Sequence, residues 1–261
     1  MDGSAVTHIM VQGKWRELYR LALSPEYFFD ERYLHDLLGP CEQRELSVLS
    51  QQIDDWQMQQ AEAYAGVASA AVNQGTAKAF AQAVAIFSSP MAAVLGCWLQ
   101  GMSAPGVFED PGQLKVMQLF AHDMGVGHPQ ASRAHHFRAL LGQLQLSAYA
   151  LAPGQLATLP DLSDKAFELP AMLLALSRRS DAFGDVLCGI DWALRAVGLC
   201  PGWAVLGQLD ELMLNVRRLD LSESFVEHES VSLRQISQWV SRQVAAQDET
   251  REAQLLRGAN W

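Results

Sequence analysis

The sequence predicts an all-α protein on two grounds. Apolar residues recur at spacings of three and four along nearly the whole chain, which is the period of a helix buried on one face. The chain also lacks a segment with the clean apolar–polar alternation of a half-buried strand. Its one Asp-Gly pair, Asp2 and Gly3, lies too near the N-terminus to join two strands. We therefore expect about eight to ten helices of three to four turns each.

In the first half of the chain, proline and glycine interrupt the apolar stripe and divide it into helices. The predicted helices cover residues 15–23, 30–38, 43–65 and 75–101. The last of these is rich in alanine and contains a Ser-Ser-Pro break. Because proline suits the first turn of a helix, we expect a new helix to begin at Pro90.

In the second half of the chain, a Gly-x-Gly turn joins two amphipathic helices, and a segment with three prolines is expected to be a loop. The predicted helices are 113–124, 132–147, 170–177, 183–199, 201–216 and 222–253, and the loop is 153–170. Residues on the apolar stripes should share one core. We expect it to contain Trp98, Val116, Leu119, Phe137, Leu141, Leu187 and Leu194.

Composition and charge favour a soluble cytoplasmic protein. Of 261 residues, 49% are hydrophobic and 18% are charged, which is typical of a globular chain. The net charge of −10 disfavours a nucleic-acid partner. The four cysteines form no CxxC pair, and Cys97 and Cys188 lie in apolar runs, as small buried residues do. We find no signal-peptide pattern, and we expect no apolar stretch to reach the ~20 residues that span a membrane.

A cluster of ionisable residues surrounds the Gly-x-Gly turn. Asp123 ends the helix before the turn, and the helix after it starts near Ser132. The other ionisable residues around the turn are His122, His128, Arg133, His135 and His136. Such clustering, in a chain with seven histidines, is typical of a metal or acid–base site. Asp123 shares a face with apolar residues, so it is either paired or reaches solvent past the turn.

Two further groups of polar residues suggest a site. Asp191 falls on or beside the apolar stripe of residues 183–199, where a carboxylate needs a cation or hydrogen-bond donors. Its partner is either Arg195, four residues later in an ordinary helix pair, or a functional group. His228, Ser232 and Gln235 stand at i, i+4 and i+7 on one face of a predicted helix. They form either a functional set or a solvated polar stripe.

The order of several segments resembles a family of metalloenzymes. HDMGVGHPQASRAHHFRALLGQLQL is similar to the DEYGNG…H..LF…LGL segment of iron-containing redox enzymes with a heme-oxygenase-like fold. SSPMAAVLGCWLQG, FELPAMLLALSRR, DVLCGIDWALRAVG and RLDLSESFVEHESVSLRQ resemble later or neighbouring segments of that family, and WRELYRLALSPEYF resembles its opening. The resemblance covers most of residues 15–240. It implies one heme-oxygenase-like helical bundle over 1–261, with about 1–75 as an N-terminal extension and 76–245 as the core bundle.

In that family two metal ions, usually iron, are held by Glu, His, Glu and a His-x-x-x-Asp-x-x-His helix. The matching positions here, in order, are Asp123, Arg133, Asp191, His228, Ser232 and Gln235. The resemblance therefore implies metal ligation by Asp123, Asp191 and His228. Arg133 opposes a metal ion electrostatically, and it could instead pair with Asp123. A shift of one turn could bring His136 into the place of Arg133, with His135 beside it.

These residues leave two functions open. In the first, the di-iron site is degenerate, and the protein binds a small molecule or acts as a partner protein in metabolite biosynthesis. It would then be either a homodimer or the companion of another enzyme. In the second, one iron, or a weakened pair, supports dioxygen-dependent oxidation of a small metabolite such as an amino-acid derivative. The Ser232 and Gln235 positions favour the first function. The clustered histidines favour the second.

Overall fold

The computed structural model of this protein describes residues 15–40, 45–102, 110–225 and 232–261. Within these ranges the protein is helical and has no strand, and an isolated bridge pairs Glu223 with Ser232. The predicted all-α class is confirmed. The division into an N-terminal extension and a core bundle stays a prediction.

Five helices form the first half of the described chain. They are α1 (Trp15–Ala22), α2 (Glu31–Leu38), α3 (Leu46–Asn73), α4 (Ala77–Ala92) and α5 (Pro111–Asp123). Asp30 accepts hydrogen bonds from two backbone N–H groups at the start of α2, and Asp110 accepts one at the start of α5. Both are N-caps, which satisfy backbone donors that the first helical turn leaves free.

Seven further helices follow, two of them short. They are α6 (Arg133–Gln143), α7 (Pro153–Leu156), α8 (Glu168–Ser177), α9 (Ser180–Val197), α10 (Pro201–Leu206), α11 (Leu233–Ala245) and α12 (Glu249–Ala259). Ser132 caps α6 at the predicted position by accepting from the backbone N–H of His135. Short 3-10 turns fill much of the connections, including Asp164–Phe167 in the expected 153–170 loop.

Several predicted helix boundaries are wrong: the 43–65 helix extends to Asn73, and α7 lies within the expected 153–170 loop. Helix α4 runs through Pro90 to Ala92, so no new helix begins at that proline. Pro90 lies in the last turn, where its missing N–H removes only one backbone bond. The predicted 201–216 helix ends at Leu206, and in the rest of that range only Asp210–Leu212 forms a 3-10 turn. The predicted 222–253 helix is two helices, and the first of them begins only after Ser232.

The continuation through Pro90 bears on the membrane expectation. Ala77–Met102, which contains α4, a turn and the Cys97–Met102 3-10 turn, is 26 residues long with a mean hydropathy of 1.6, long and apolar enough to cross a membrane by length and composition alone. The core helix of a soluble protein passes the same test. In this protein, 44% of the most apolar 18 residues of the stretch is buried. The expectation that every apolar stretch is too short therefore fails for this segment.

One hydrophobic core joins the described helices. It extends from Leu18 in α1 to Leu256 in α12 and contains six of the seven predicted core residues, and the seventh, Leu194, is half-buried and packs against it. Helices α9 and α12 pack closely because glycine lies at their contact. A Cβ atom on Gly189 would overlap the Leu255 carbonyl oxygen, and one on Gly258 would overlap the Val186 carbonyl oxygen.

Candidate functional site

Four charged side chains meet in the interior and form a charge cluster. Its members are Asp123 at the end of α5, Arg133 at the start of α6, and Asp191 and Arg195 on α9. None is more than 3% exposed. Because burying an unpaired charge is costly, each must find partners inside the protein.

Asp123 lies between the two arginines. Arg133 Nε donates to Asp123 Oδ1 at 2.6 Å, and Arg195 Nη2 donates to Asp123 Oδ2 at 2.6 Å. Asp123 is therefore paired and does not reach solvent past the turn. The structure agrees with the alternative in which Arg133 pairs with this carboxylate.

Asp191 accepts from three donors. They are Arg195 Nε at 2.9 Å, Trp98 Nε1 at 3.1 Å and Ser237 Oγ at 2.7 Å. The pair with Arg195 has the i, i+4 spacing weighed from the sequence, but both side chains are buried. Its surroundings are therefore unlike those of an exposed helix pair, which contributes little to stability.

The remaining N–H groups of the arginines hold the segment after α10. Arg195 Nη1 donates to the Leu221 carbonyl at 3.0 Å. Arg133 Nη2 donates to the Glu223 carbonyl at 2.8 Å, and its Nη1 donates to the Asp220 carbonyl. The cluster thus has two positive and two negative charges, and backbone carbonyls take up further donors.

The close approach of α5 to the chain before the Cys97–Met102 3-10 turn depends on Gly96. Its φ is +79°, which L side chains rarely adopt, and an added Cβ would overlap the Asp123 side chain. Cys97 follows it. Burial, together with the charge of Asp123, raises the pKa of the Cys97 thiol to about 11, so the thiol stays protonated at neutral pH.

The arginines keep Asp123 ionised. Burial alone would raise the pKa of its carboxyl, but the charges of Arg195 and Arg133 and their hydrogen bonds outweigh burial and hold the pKa below its ordinary value. For Arg195, burial would lower the pKa, but attraction to Asp123 and Asp191 raises it. Both shifts favour the charged forms of Asp123 and Arg195.

The last predicted group of site residues does not share a helix face. Ser232 is the N-cap of α11 and accepts from the backbone N–H of Gln235, whose side chain is exposed. The expected i, i+4, i+7 face is wrong for these two residues, because the helix starts one residue after Ser232. His228 lies outside the described residues. Ser237, further along α11, is the residue that reaches the cluster.

The histidines near the turn lie beside the cluster. His122 is 7% exposed, and its Nδ1 lies 2.8 Å from Ser224 Oγ. His135 and His136 are half-buried, with ring centroids 6.1 Å apart, and the Nε2 atom of His136 has no hydrogen-bond partner within the described ranges. Burial, with the charges of Arg218, His135 and Arg133, lowers the pKa of His136, so its neutral form is favoured.

The donor set around Asp123 does not fit iron. Both carboxylate oxygens already accept from guanidinium groups, and Arg133 has the position that the resemblance assigns to a histidine. Among the described residues, no group of three or more His, Cys, Asp or Glu side chains is arranged to hold a metal ion. Ligation by Asp123, Asp191, His136 and His228 stays a prediction.

Three residues that donate hydrogen bonds within or to the charge cluster have roles that the sequence did not predict. Arg195 was weighed as a partner of Asp191 but not of Asp123, since its second contact spans 72 residues. Trp98 is a predicted core residue, but nothing in the sequence predicts that its indole N–H donates to Asp191. Ser237 was not predicted either, although its polar side chain on the buried face of an amphipathic helix is the kind of exception that marks an internal hydrogen bond.

A cavity of about 810 Å³ lies beside the cluster. Three of its lining residues adjoin the charge cluster. Leu95 precedes Gly96, which packs on Asp123, and Leu194 precedes Arg195. The carbonyl of Leu221 accepts a hydrogen bond from Arg195. Aromatic side chains line much of the rest: Trp56, Tyr64, Phe80, Phe87, Trp203 and Trp261. Its volume is that of a site for a drug-sized molecule.

Comparisons with protein-family models, with curated proteins and with solved structures found no match for this chain. The structure shows an all-α fold, and the similarity to heme-oxygenase-like proteins is confined to the sequence segments described above.

Proposed function

We propose that this protein is a heme-oxygenase-like helical bundle in which a charge cluster stands where its relatives hold iron, and that it binds a small molecule in the adjoining cavity. The observation that supports this most directly is the pairing of both Asp123 oxygens with arginines. A carboxylate that accepts two charge-assisted hydrogen bonds has little left to offer a metal ion.

Electrostatics favour the arginines over a metal at this position. A divalent cation near Asp123 would be repelled by two permanent positive charges, and in the interior such repulsion is strong. Displacing Arg133 would also free its donors from the Asp220 and Glu223 carbonyls. In this proposal the paired charges of the cluster have a structural role and support the residues that line the cavity.

The cavity offers a place for a ligand without metal chemistry. It is concave and mostly apolar. Three of its lining residues, Leu95, Leu194 and Leu221, adjoin the charge cluster. Concave apolar sites with few polar groups are typical of small-molecule binding. In this proposal the protein delivers, stores or senses a metabolite, or presents it to a companion enzyme.

The test is an anaerobic titration of the purified protein with ferrous iron, followed by metal analysis and thermal unfolding. We expect no stoichiometric iron after desalting, and no change of Tm with either ferrous iron or a chelator. An ion bound by the folded state would raise Tm with its concentration. One or two equivalents of retained iron, with such a rise, would favour the iron- and dioxygen-dependent oxidase instead.

A further inference from the structure

We propose that the cavity takes an aromatic zwitterion, a molecule with ring systems at one end and an ammonium group and a carboxylate close together at the other. Glu168 pairs with the ammonium group, and Lys165 pairs with the carboxylate. This inference rests on the proposed small-molecule function and names the class of ligand.

The charged side chains of the cavity lining belong to one short segment. They are those of Lys165 and Glu168, and the other lining side chains are apolar or uncharged. Lys165 lies in the Asp164–Phe167 3-10 turn, and Glu168 is the first residue of α8, which follows directly. Because side chains three residues apart lie on the same side of a 3-10 turn, a cation and an anion stand on one wall of the cavity.

Both charges are available to a ligand. Lys165 is exposed and Glu168 is half-buried. Within the described ranges, neither side chain has an ion pair or a hydrogen bond, and the two do not pair with each other. The charges of the cluster, in contrast, are all paired inside the protein. Lys165 and Glu168 therefore keep their capacity to pair with groups of opposite charge.

The rest of the lining favours an aromatic body for the ligand. Six aromatic side chains contribute to it: Trp56, Tyr64, Phe80, Phe87, Trp203 and Trp261. Aromatic faces and edges pack on ring systems in offset or edge-to-face arrangements and add to the gain from apolar burial. The ligand accordingly lies with its rings against these walls and with its charged end at Lys165 and Glu168.

Two opposite charges favour a zwitterion over an ion of one sign. A lone carboxylate would be attracted by Lys165 and repelled by Glu168, and a lone ammonium group would meet the reverse. An uncharged ligand that covered this wall would remove water from both side chains without replacing it. A ligand with both groups gives each side chain a partner.

The experiment compares four probes with the same naphthalene body. 3-(2-Naphthyl)-L-alanine has both charges, its primary amide has the ammonium group, its N-acetyl derivative has the carboxylate, and its N-acetyl amide has neither. Equilibrium dialysis at neutral pH and low salt gives Kd for each. We expect the native protein to bind naphthylalanine most tightly. Each capped charge should weaken binding by roughly twofold to fivefold, which is the size of a partly exposed ion pair.

Two variants assign each charge to its partner. Lys165→Met keeps most of the side chain's length and should weaken only the two probes that carry the carboxylate. Glu168→Gln should weaken only the two probes that carry the ammonium group. Each loss should again be roughly twofold to fivefold. A purely structural role of either residue would weaken all four probes alike.

Lys115→Met on α5 and Glu249→Gln on α12 are the matched controls. They change the net charge by the same amounts, and both residues lie outside the cavity lining. Neither control should alter the order of the four affinities.

The remaining outcomes separate the two proposals. Equal affinity of the native protein for all four probes would overturn the zwitterion inference and leave small-molecule binding in place. An equal loss for all probes in Lys165→Met or Glu168→Gln would overturn it as well. Failure of all four probes to bind would count against the proposed function itself, together with the inference.

Discussion

Asp123 is the residue at which the two buried arginines meet. Its carboxylate is fully buried and is hydrogen-bonded to Arg133 on one oxygen and Arg195 on the other. The second carboxylate, Asp191, balances the second arginine. Each charged side chain of the cluster therefore has an oppositely charged partner within hydrogen-bond distance, as buried charges require.

Arg133→Ala should lower the stability of the protein clearly. The substitution leaves Asp123 with Arg195 as its charged partner and removes the hydrogen bonds that Arg133 donates to the Asp220 and Glu223 carbonyls. Breaking a buried pair typically lowers the free energy of unfolding by about 3–5 kcal/mol. Urea unfolding of the variant and of the native protein measures the difference.

Arg138→Ala is the matched control, because Arg138 lies on the same helix and is exposed. Its effect should remain within about 0.5 kcal/mol. If the two variants were equally stable, the cluster would not contribute as the contacts indicate.

Acid should destabilise the protein through Asp123. A carboxyl whose pKa is lower in the folded than in the unfolded state stabilises the fold above its ordinary pKa, about 3.9, and loses this contribution as pH falls through the folded value. The free energy of unfolding should therefore decrease below about pH 4. Urea titrations between pH 7 and 3 would measure it.

In Asp123→Asn the same titrations should give a flatter dependence on pH, because the titrating group is gone, whatever the absolute stability of the variant. Asp36→Asn, at an exposed position of α2, should keep the native slope. An unchanged slope in Asp123→Asn would show that other carboxylates dominate the acid transition.

At the scale of helices, local sequence signals predicted starts better than ends. Helices α2, α5 and α6 each begin beside an Asp or Ser that caps a free backbone N–H. Such caps act within one turn, so they can be seen in a short segment. The start of α11 was missed although Ser232 is also a cap, because the apolar pattern upstream suggested a longer helix.

The contact between α9 and α12 should be sensitive to one methyl group. Gly189→Ala would push a Cβ into the backbone of α12 at Leu255, and a backbone atom cannot turn aside as a flexible side chain can. We expect a loss of at least about 1–3 kcal/mol in the free energy of unfolding. Thermal or urea unfolding would measure it.

Gly142→Ala, within α6, is the control, since a Cβ there meets no atom within 4 Å. It should stabilise the protein by about 0.4–1 kcal/mol, because alanine restricts the unfolded chain. If Gly189→Ala were as harmless as Gly142→Ala, the two helices would not be in the close contact described.

The whole molecule has one hydrophobic core in its described parts. Helix α1 packs against α8, and α12 packs against α9, so the first and the last described helices both contact the middle of the chain. The cluster of charges lies within this core, and the cavity opens beside it. Because side chains from each described range are buried in this one hydrophobic core, we expect unfolding to be cooperative.

We expect unfolding in a single transition. Helix content, measured by far-ultraviolet circular dichroism, and tryptophan fluorescence should give the same midpoint in urea. Two separate midpoints would indicate that the first 75 residues form a unit that unfolds independently of the core.

The sequence by itself determined the helical class, most helix positions and the core, because these depend on residues within one or two turns of each other. The stripe of apolar residues also marked Asp123 and Asp191 as carboxylates in need of partners. Only the tertiary structure decided which partners they have. Arg195 reaches Asp123 across 72 residues of chain, and Ser237 reaches Asp191 across 46. Such contacts depend on how helices pack, and the period of a helix contains no information about the neighbour that its buried face meets.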